Sequence, residues 1–192
     1  MACQTLGIEK PVVYGLSFGG MVAMSYAARH PEAPSKLVLS STAATLDLAE
    51  TYAIMERLGG PEARRIAEAF WSAPTIDGAA EYMSVCMPLY NPSGALGDAA
   101  RKRAIQRTEV MFHFIEREQA QMDLRPGLAA LRCPTLILAG GLDPITPVSC
   151  AKAILAALPE GVGELVVFEE AGHGIHRDQP ERAEAVLRGF FA

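Results

Sequence analysis

A serine at position 17 stands between glycines, in the stretch Gly15-Leu16-Ser17-Phe18-Gly19. A short apolar run precedes it and an alanine-rich helical pattern follows it, and such a strand-to-helix turn lifts a serine hydroxyl clear of a sheet. Larger side chains at positions 15 and 19 would collide in this turn, which explains both glycines. The spacing predicts a nucleophilic serine, with the N–H of residue 18 and the positive helix end facing an oxyanion. A small residue in a tight turn is the alternative.

A serine nucleophile needs a general base, and the chain offers four histidines. His173 directly follows the last predicted strand and has a glycine on each side, which lets a loop turn its ring inward. His176 is the rival, three residues on, but it lacks flanking glycines. His30 stands at a helix end and His113 in a helical segment, where solvation or packing explains them. We therefore predict that His173 is the base.

The base in turn needs an acid to orient it, and Asp143 follows the third predicted strand in "LILAGGLDPITP". A helix N-cap before Pro144 is the alternative role for this aspartate. Ser17, Asp143 and His173 each follow a predicted parallel strand, so they are expected to meet at one edge of the sheet. The sequence thus predicts a Ser-Asp-His triad.

Four short apolar segments supply these strands, at residues 11–16, 36–40, 133–141 and 164–170. Three of them lack apolar/polar alternation, which is typical of strands covered on both faces. Helical patterns alternate with the strands, which favours an α/β fold with a mostly parallel sheet flanked by helices. We expect residues 1–43 and 126–192 to form this core.

Residues 44–125 contain no convincing strand and are predicted to be a helical insertion, a cap or lid over the serine. Trp71 and Phe114 are candidates for lining a substrate pocket there, although packing explains either residue as well. The insertion also carries five of the eight methionines, whose soft side chains suit an acyl pocket: Met55, Met83, Met87, Met111 and Met122.

Composition excludes several classes of protein. The net charge of −5 and the lack of a basic stripe argue against a nucleic-acid partner. The first ten residues lack the apolar segment of a secretory signal, and no apolar run is long enough to span a membrane. The four cysteines show no metal-site or CxxC spacing, so we expect reduced thiols, a cytoplasmic location, and no metal or organic cofactor.

Three stretches carry a family resemblance: "LGIEKPVVYGLSFGGMVAMSYAARHPE", "DLRPGLAALRCPTLILAGGLDPITP" and "FEEAGHGIHRDQPE". They resemble α/β hydrolases, most closely the branch of proline iminopeptidases and esterases with a helical cap. The resemblance covers almost the whole chain and is weakest in the insertion. It implies that Ser17 is the nucleophile, Asp143 the acid and His173 the base.

The chain departs from that family at its start. It resembles the C-terminal two-thirds of an α/β hydrolase, so we expect a truncated fold that lacks the first strands. No His-Gly-Gly loop, which in the family supplies the second oxyanion N–H, occurs in the sequence. Loss of one such donor typically slows a reaction by about 10²–10³-fold.

Three functions compete at this stage. The first is a hydrolase that cleaves small-molecule carboxylic esters through an acyl-enzyme. The second is an aminopeptidase that releases N-terminal proline, with Glu116 or Glu118 holding the substrate amine, although a solvated helix face explains these glutamates equally well. The third is a non-catalytic remnant that only binds or assembles.

The first predicted strand raises a question of assembly. Residues 11–16 are too apolar for a comfortable sheet edge, and exposed apolar edges invite pairing with another chain. We therefore expect a homodimer in which this strand pairs with its two-fold mate.

Overall fold

The computed structural model describes residues 2–94, 103, 105 and 107–192. Its sheet has the strand order β1-β2-β3-β4, and every neighbouring pair is parallel. The strands are β1 (Val12–Leu16), β2 (Lys36–Ser40), β3 (Thr135–Gly140) and β4 (Gly163–Phe168). The predicted α/β fold with a parallel sheet is thus confirmed.

Helices connect and cover the strands. The described α-helices are α1 (Ala2–Thr5), α2 (Phe18–Arg29), α3 (Leu48–Ser72), α4 (Ile76–Val85), α5 (Thr108–His113), α6 (Arg125–Leu128), α7 (Val148–Ala157), α8 (Ile175–Asp178) and α9 (Pro180–Phe191). Short 3₁₀-helices lie at Met87–Tyr90 and Gln119–Gln121, and a π-helical turn lies at Phe114–Glu118. Helix α9 starts on a proline, which suits a first helical position because the missing N–H is not needed there.

The sheet is the middle of three layers. On one face, Leu39 of β2 packs with residues of α2, α6 and α7, among them Met24 and Ile154. On the other face, Val38 packs with residues of α8 and α9, among them Ile175. Every residue of β3 is buried, because this strand lies between two neighbours and beneath helices on both faces.

Strand β1 departs from the expectation of strands covered on both faces. Val13 packs into the core, but Val12, Tyr14 and Leu16 on the opposite face are 48%, 41% and 45% exposed. The strand order explains the difference: β1 is one edge of the sheet that the described residues form, and α8 and α9 cover the corresponding face of β2, β3 and β4.

The insertion consists of helical segments, with no strand in its described residues. Helix α3 bends at Gly60, whose φ of 76° suits glycine and which precedes Pro61. The two ends of the insertion meet, because the Leu124 N–H donates to the Ala44 carbonyl at 2.9 Å. This contact is what an insertion between β2 and β3 requires, while the domain limits at 44 and 125 stay a prediction.

The four cysteines are free, and Cys86, Cys133 and Cys150 are buried. Burial raises the pKa of the Cys86 and Cys150 thiols to about 11, so both are protonated near neutral pH. Within the described ranges, no helix is both long and apolar enough to cross a bilayer.

Candidate active site

Ser17 occupies a strained turn between β1 and α2. Its backbone angles, φ 54° and ψ −123°, are rare for a residue with a side chain and cost about 1–3 kcal/mol. Two contacts to the end of β2 hold the turn: the Ser17 N–H donates to the Ser40 carbonyl at 3.0 Å, and the Thr42 hydroxyl donates to the Ser17 carbonyl at 2.7 Å. The strain therefore has a local structural support.

The glycines around Ser17 are crowded unequally. A Cβ at Gly15 would lie 2.5 Å from the Gly19 carbonyl oxygen, so this position must be glycine. A Cβ at Gly19 would meet nothing within 4 Å, so the prediction that a larger side chain would collide at position 19 is wrong. The crowded neighbour is instead Gly20, where a Cβ would lie 2.5 Å from the Thr42 side chain. The glycine pair that the turn requires is therefore 15 and 20.

Asp143 and His173 form a hydrogen-bonded pair, with 2.8 Å between Asp143 Oδ2 and His173 Nδ1. Asp143 is only 2% exposed, and its carboxylate also accepts from the Ile145 N–H at 2.8 Å, the Thr146 N–H at 3.0 Å and the Thr146 hydroxyl at 2.7 Å. These donors satisfy the buried charge and fix its orientation. Asp143 thus makes both kinds of contact that the sequence suggested. Its carboxylate bonds to His173, as expected of a triad acid, and accepts from backbone N–H groups, as expected of a helix cap.

The loop that carries His173 is tied to the insertion. The His173 N–H donates to the Tyr90 carbonyl at 2.8 Å, and the two rings meet edge to face with centroids 5.4 Å apart. The Tyr90 hydroxyl bonds to that of Tyr82 at 2.7 Å, which in turn accepts from the Trp71 indole at 3.2 Å. Burial raises the pKa of Tyr90 well above its usual value, so the phenol stays neutral beside the imidazole.

The Ser17 hydroxyl has no hydrogen-bond partner among the described residues, so the structure pairs His173 with Asp143 but does not bond it to Ser17. The Phe18 N–H likewise donates to no acceptor among the described residues. It lies in the first turn of α2, where backbone N–H groups have no partner within the helix. Catalytic hydrogen bonds are often long or absent without substrate. The three residues share the carboxyl edge of the sheet, following β1, β3 and β4.

A cavity of about 490 Å³ opens beside Ser17, and it lies between the turn and the insertion. Both predicted lining residues, Trp71 and Phe114, belong to its wall, and Phe114 meets the Phe18 ring edge to face at 5.2 Å. The indole N–H of Trp71 is bonded to a tyrosine hydroxyl, which leaves its ring as apolar wall. No acidic side chain is among the described residues that line this cavity, where Arg107 is the charged one.

The competing candidates lie elsewhere. His176 bonds to the Tyr14 hydroxyl at 2.7 Å instead of to Asp143, and burial lowers its pKa. Glu118 pairs with His113 at 3.2 Å, and it lines a different groove. In the described ranges, no three His, Cys, Asp or Glu side chains are grouped to hold a metal.

Sequence reasoning missed Thr146 and Tyr90. Aspartate side chains commonly bond to the backbone N–H groups two or three residues on, so the sequence could have indicated the local contact of Asp143 with Thr146. Tyr90 has no such local signal, because it reaches His173 from 83 positions away in the chain (173 − 90).

Comparison with known proteins gives a consistent set of relatives. The family model described as "Serine aminopeptidase, S33" matches residues 2–180. The chain is 31% identical over 165 residues to "Putative carbamate hydrolase RutD" of Klebsiella pneumoniae (strain 342), covering 82% of this chain and 58% of that protein. It is 30% identical over 190 residues to "Pimeloyl-[acyl-carrier protein] methyl ester esterase" of Neisseria meningitidis (strain FAM18), covering 95% and 70%.

Among solved structures, proline iminopeptidase of Mycobacterium smegmatis superposes with a TM-score of 0.73 at 22% identity, over 98% of this chain and 67% of that one. At this identity the likeness shows the fold. The chain spans 58% of the length of the Klebsiella relative, so it matches only part of that protein.

Proposed function

The chain belongs to the serine aminopeptidase S33 family of the α/β-hydrolase superfamily, and from that premise we propose that it is a serine hydrolase of small carboxylic esters. The observation that carries the proposal is the apolar cavity beside Ser17, whose wall includes Thr146, the residue that donates to the carboxylate of the Asp143–His173 pair. A neutral acyl group fits such walls, whereas the amine of an aminopeptidase substrate calls for a nearby carboxylate. The Neisseria relative, which is named as a methyl ester esterase, supports the same choice.

The proposed reaction has two steps. Ser17 Oγ attacks the ester carbonyl carbon, His173 Nε2 takes the hydroxyl proton and passes it to the departing alcohol, and an acyl-enzyme remains. Water then attacks the acyl carbon, His173 takes its proton and returns it to Ser17, and the carboxylic acid leaves. Asp143 holds the imidazole and stabilises its charged form, while the Phe18 N–H stabilises the oxyanion of each step.

Substrate comparison tests the proposal. Going from p-nitrophenyl acetate to butyrate adds two methylenes, each contributing about 0.8 kcal/mol when buried, so kcat/KM should rise on the order of tenfold. Trp71→Ala should weaken that preference, and Ser17→Ala is the blank. No turnover of either ester, with proline β-naphthylamide hydrolysed instead, would favour the aminopeptidase.

We also propose that the chain forms a homodimer through β1. Strand β1 exposes a row of large side chains, those of Val12, Tyr14 and Leu16, on one face. The backbone groups on its outer side have no strand neighbour among the described residues. Such an edge is prone to pair with another strand. Light scattering should give twice the chain mass, and Val12→Lys should halve it; a wild-type monomer would contradict the proposal.

A cytoplasmic location completes the proposal. Free thiols are typical of reducing compartments, and all four cysteines are free. Cell fractionation with an antibody to the chain is the test, and recovery outside the cytoplasm would contradict it.

A further inference from the structure

Asp178, at the end of α8, accepts hydrogen bonds from two different parts of the chain. Its carboxylate accepts from the Gly172 N–H at 2.8 Å, from the Asn91 side-chain amide at 2.8 Å, and from the Ser93 hydroxyl. Burial raises the pKa of Asp178, but the hydrogen bonds from Asn91, Ser93 and Gly172 outweigh it and hold the pKa below the ordinary aspartate value. The group is thus an ionised acceptor that joins the insertion to the loop before α8.

These bonds surround the backbone of His173. Gly172 precedes the histidine, and Asn91 follows Tyr90, whose carbonyl accepts the His173 N–H. The two segments are in tight contact, because a Cβ at Gly172 would overlap the Tyr90 carbonyl oxygen. Neither segment can slide without breaking a bond to Asp178 or to His173.

We propose that Asp178 is a positioning residue, which fixes the His173 ring against Asp143 by clamping residues 90–93 to the histidine loop. The inference rests on the proposed function for its catalytic consequence, but the placement of the ring is measurable without turnover. Asp178 does not line the cavity beside Ser17, so it acts through His173 rather than on substrate.

Kinetics supply the first part of the test. Asp178→Ala removes the acceptor for three donors and should lower kcat on the order of 10², the effect of a small misplacement of a catalytic group, with little change in KM. Asp178→Asn should retain most of kcat, because its amide oxygen still accepts from Gly172 and Asn91 while its NH₂ donates to Ser93. Glu184→Ala, which removes an exposed ion pair with Arg188 on α9, is the matched control and should behave as wild type.

Proton NMR supplies the second part. The His173 Nδ1–H that bonds to Asp143 should give a low-field signal, identified by its absence in His173→Gln. Asp178→Ala should lose or broaden this signal and Asp178→Asn should keep it. If Asp178→Ala does not fold, Asn91→Ala serves in its place, with a smaller loss of kcat and a weakened signal.

The outcomes separate the two claims. A folded Asp178→Ala protein with an intact signal and normal kcat overturns the positioning role while the proposed function stands. A wild-type protein that shows the signal, loses it in Asp178→Ala and hydrolyses no ester supports the positioning role and overturns the proposed function.

Discussion

Asp143 and Ser17 follow strands at the same edge of one sheet, yet the first lies in the interior and the second at the margin. Asp143 follows the fully buried β3 and has four hydrogen-bond donors around its carboxylate, counting His173. Ser17 follows β1, an edge strand with exposed apolar side chains, and its hydroxyl has no partner among the described residues. The proposed acid–base pair is thus held by the core, whereas the proposed nucleophile depends on its own turn.

This difference has a chemical consequence. A preorganised acid and base cost no rearrangement during reaction, which is where electrostatic catalysis gains most. The strained turn at Ser17 is held by a few local contacts to its backbone, here those with Ser40 and Thr42. Variants of the residues that support each side should therefore fail in different ways. Those at the Asp143–His173 pair should lose chemistry, whereas those that pack around the Ser17 turn, such as Gly20, should lose stability or turn geometry.

The largest expected effect comes from the side chains that are proposed to react. Ser17→Ala and His173→Ala should each lower kcat for ester hydrolysis on the order of 10⁶-fold, since members of a triad act as a unit. His176→Ala is the matched control and should keep kcat within the wild-type order of magnitude, because His176 bonds to Tyr14. Steady-state kinetics on folded variants checks this, and equal damage from both histidine variants would show that the base is misassigned.

Next in size is the buried acid. Asp143→Asn should lower kcat by about 10⁴-fold, because an amide turned toward His173 favours the wrong tautomer. Asp47→Asn is the comparison, since Asp47 accepts from the Ala49 and Glu50 N–H groups at the start of α3 in the same local way but has no histidine partner. The kcat of Asp47→Asn should match wild type. A similar loss of kcat in the Asp143 and Asp47 variants would mean that activity depends on the aspartate-to-backbone contacts rather than on the bond to His173.

A smaller effect tests the nucleophile side. Gly20→Ala should destabilise the fold by about 1–3 kcal/mol because its Cβ meets the Thr42 side chain. Gly19→Ala has open space and should stabilise α2 by about 0.5–1 kcal/mol through loss of glycine flexibility. Urea unfolding of the pair decides the matter, and equal destabilisation would mean that the crowding lies at position 19 as well.

The smallest expected effect concerns pH. Burial lowers the pKa of His176 from 6.5, so the unfolded chain binds its proton before the folded chain does. Stability from this group is therefore complete above pH 6.5 and is lost as pH falls through the lowered folded pKa. Urea midpoints measured across this window should fall less steeply in His176→Gln, and an unchanged slope would argue that His176 is not desolvated.

The sequence indicated the strand-end residues because each carried a local signal: glycines around Ser17, glycines around His173, and a proline-bounded turn after Asp143. The exposed face of β1 could not be predicted, since it depends on the strand order and on which strands α8 and α9 cover. The clamp at Asp178 was also beyond sequence reasoning, because Asn91 lies 87 positions from it. The sequence therefore predicted the residues that carry a local signal, but not the contacts that depend on long-range packing.

Fluorophosphonate labelling of the folded protein, followed by peptide mapping, tests the central claim most directly, because this probe reacts with an activated serine whatever the natural substrate is. The proposed mechanism predicts one label on Ser17 in the wild-type chain, much slower labelling in His173→Ala, and none on this peptide in Ser17→Ala. Labelling should be undisturbed in His176→Ala. Folded wild-type protein that takes up no label at Ser17, or that labels equally fast without His173, would contradict the assignment of Ser17 as a nucleophile activated by the Asp143–His173 pair.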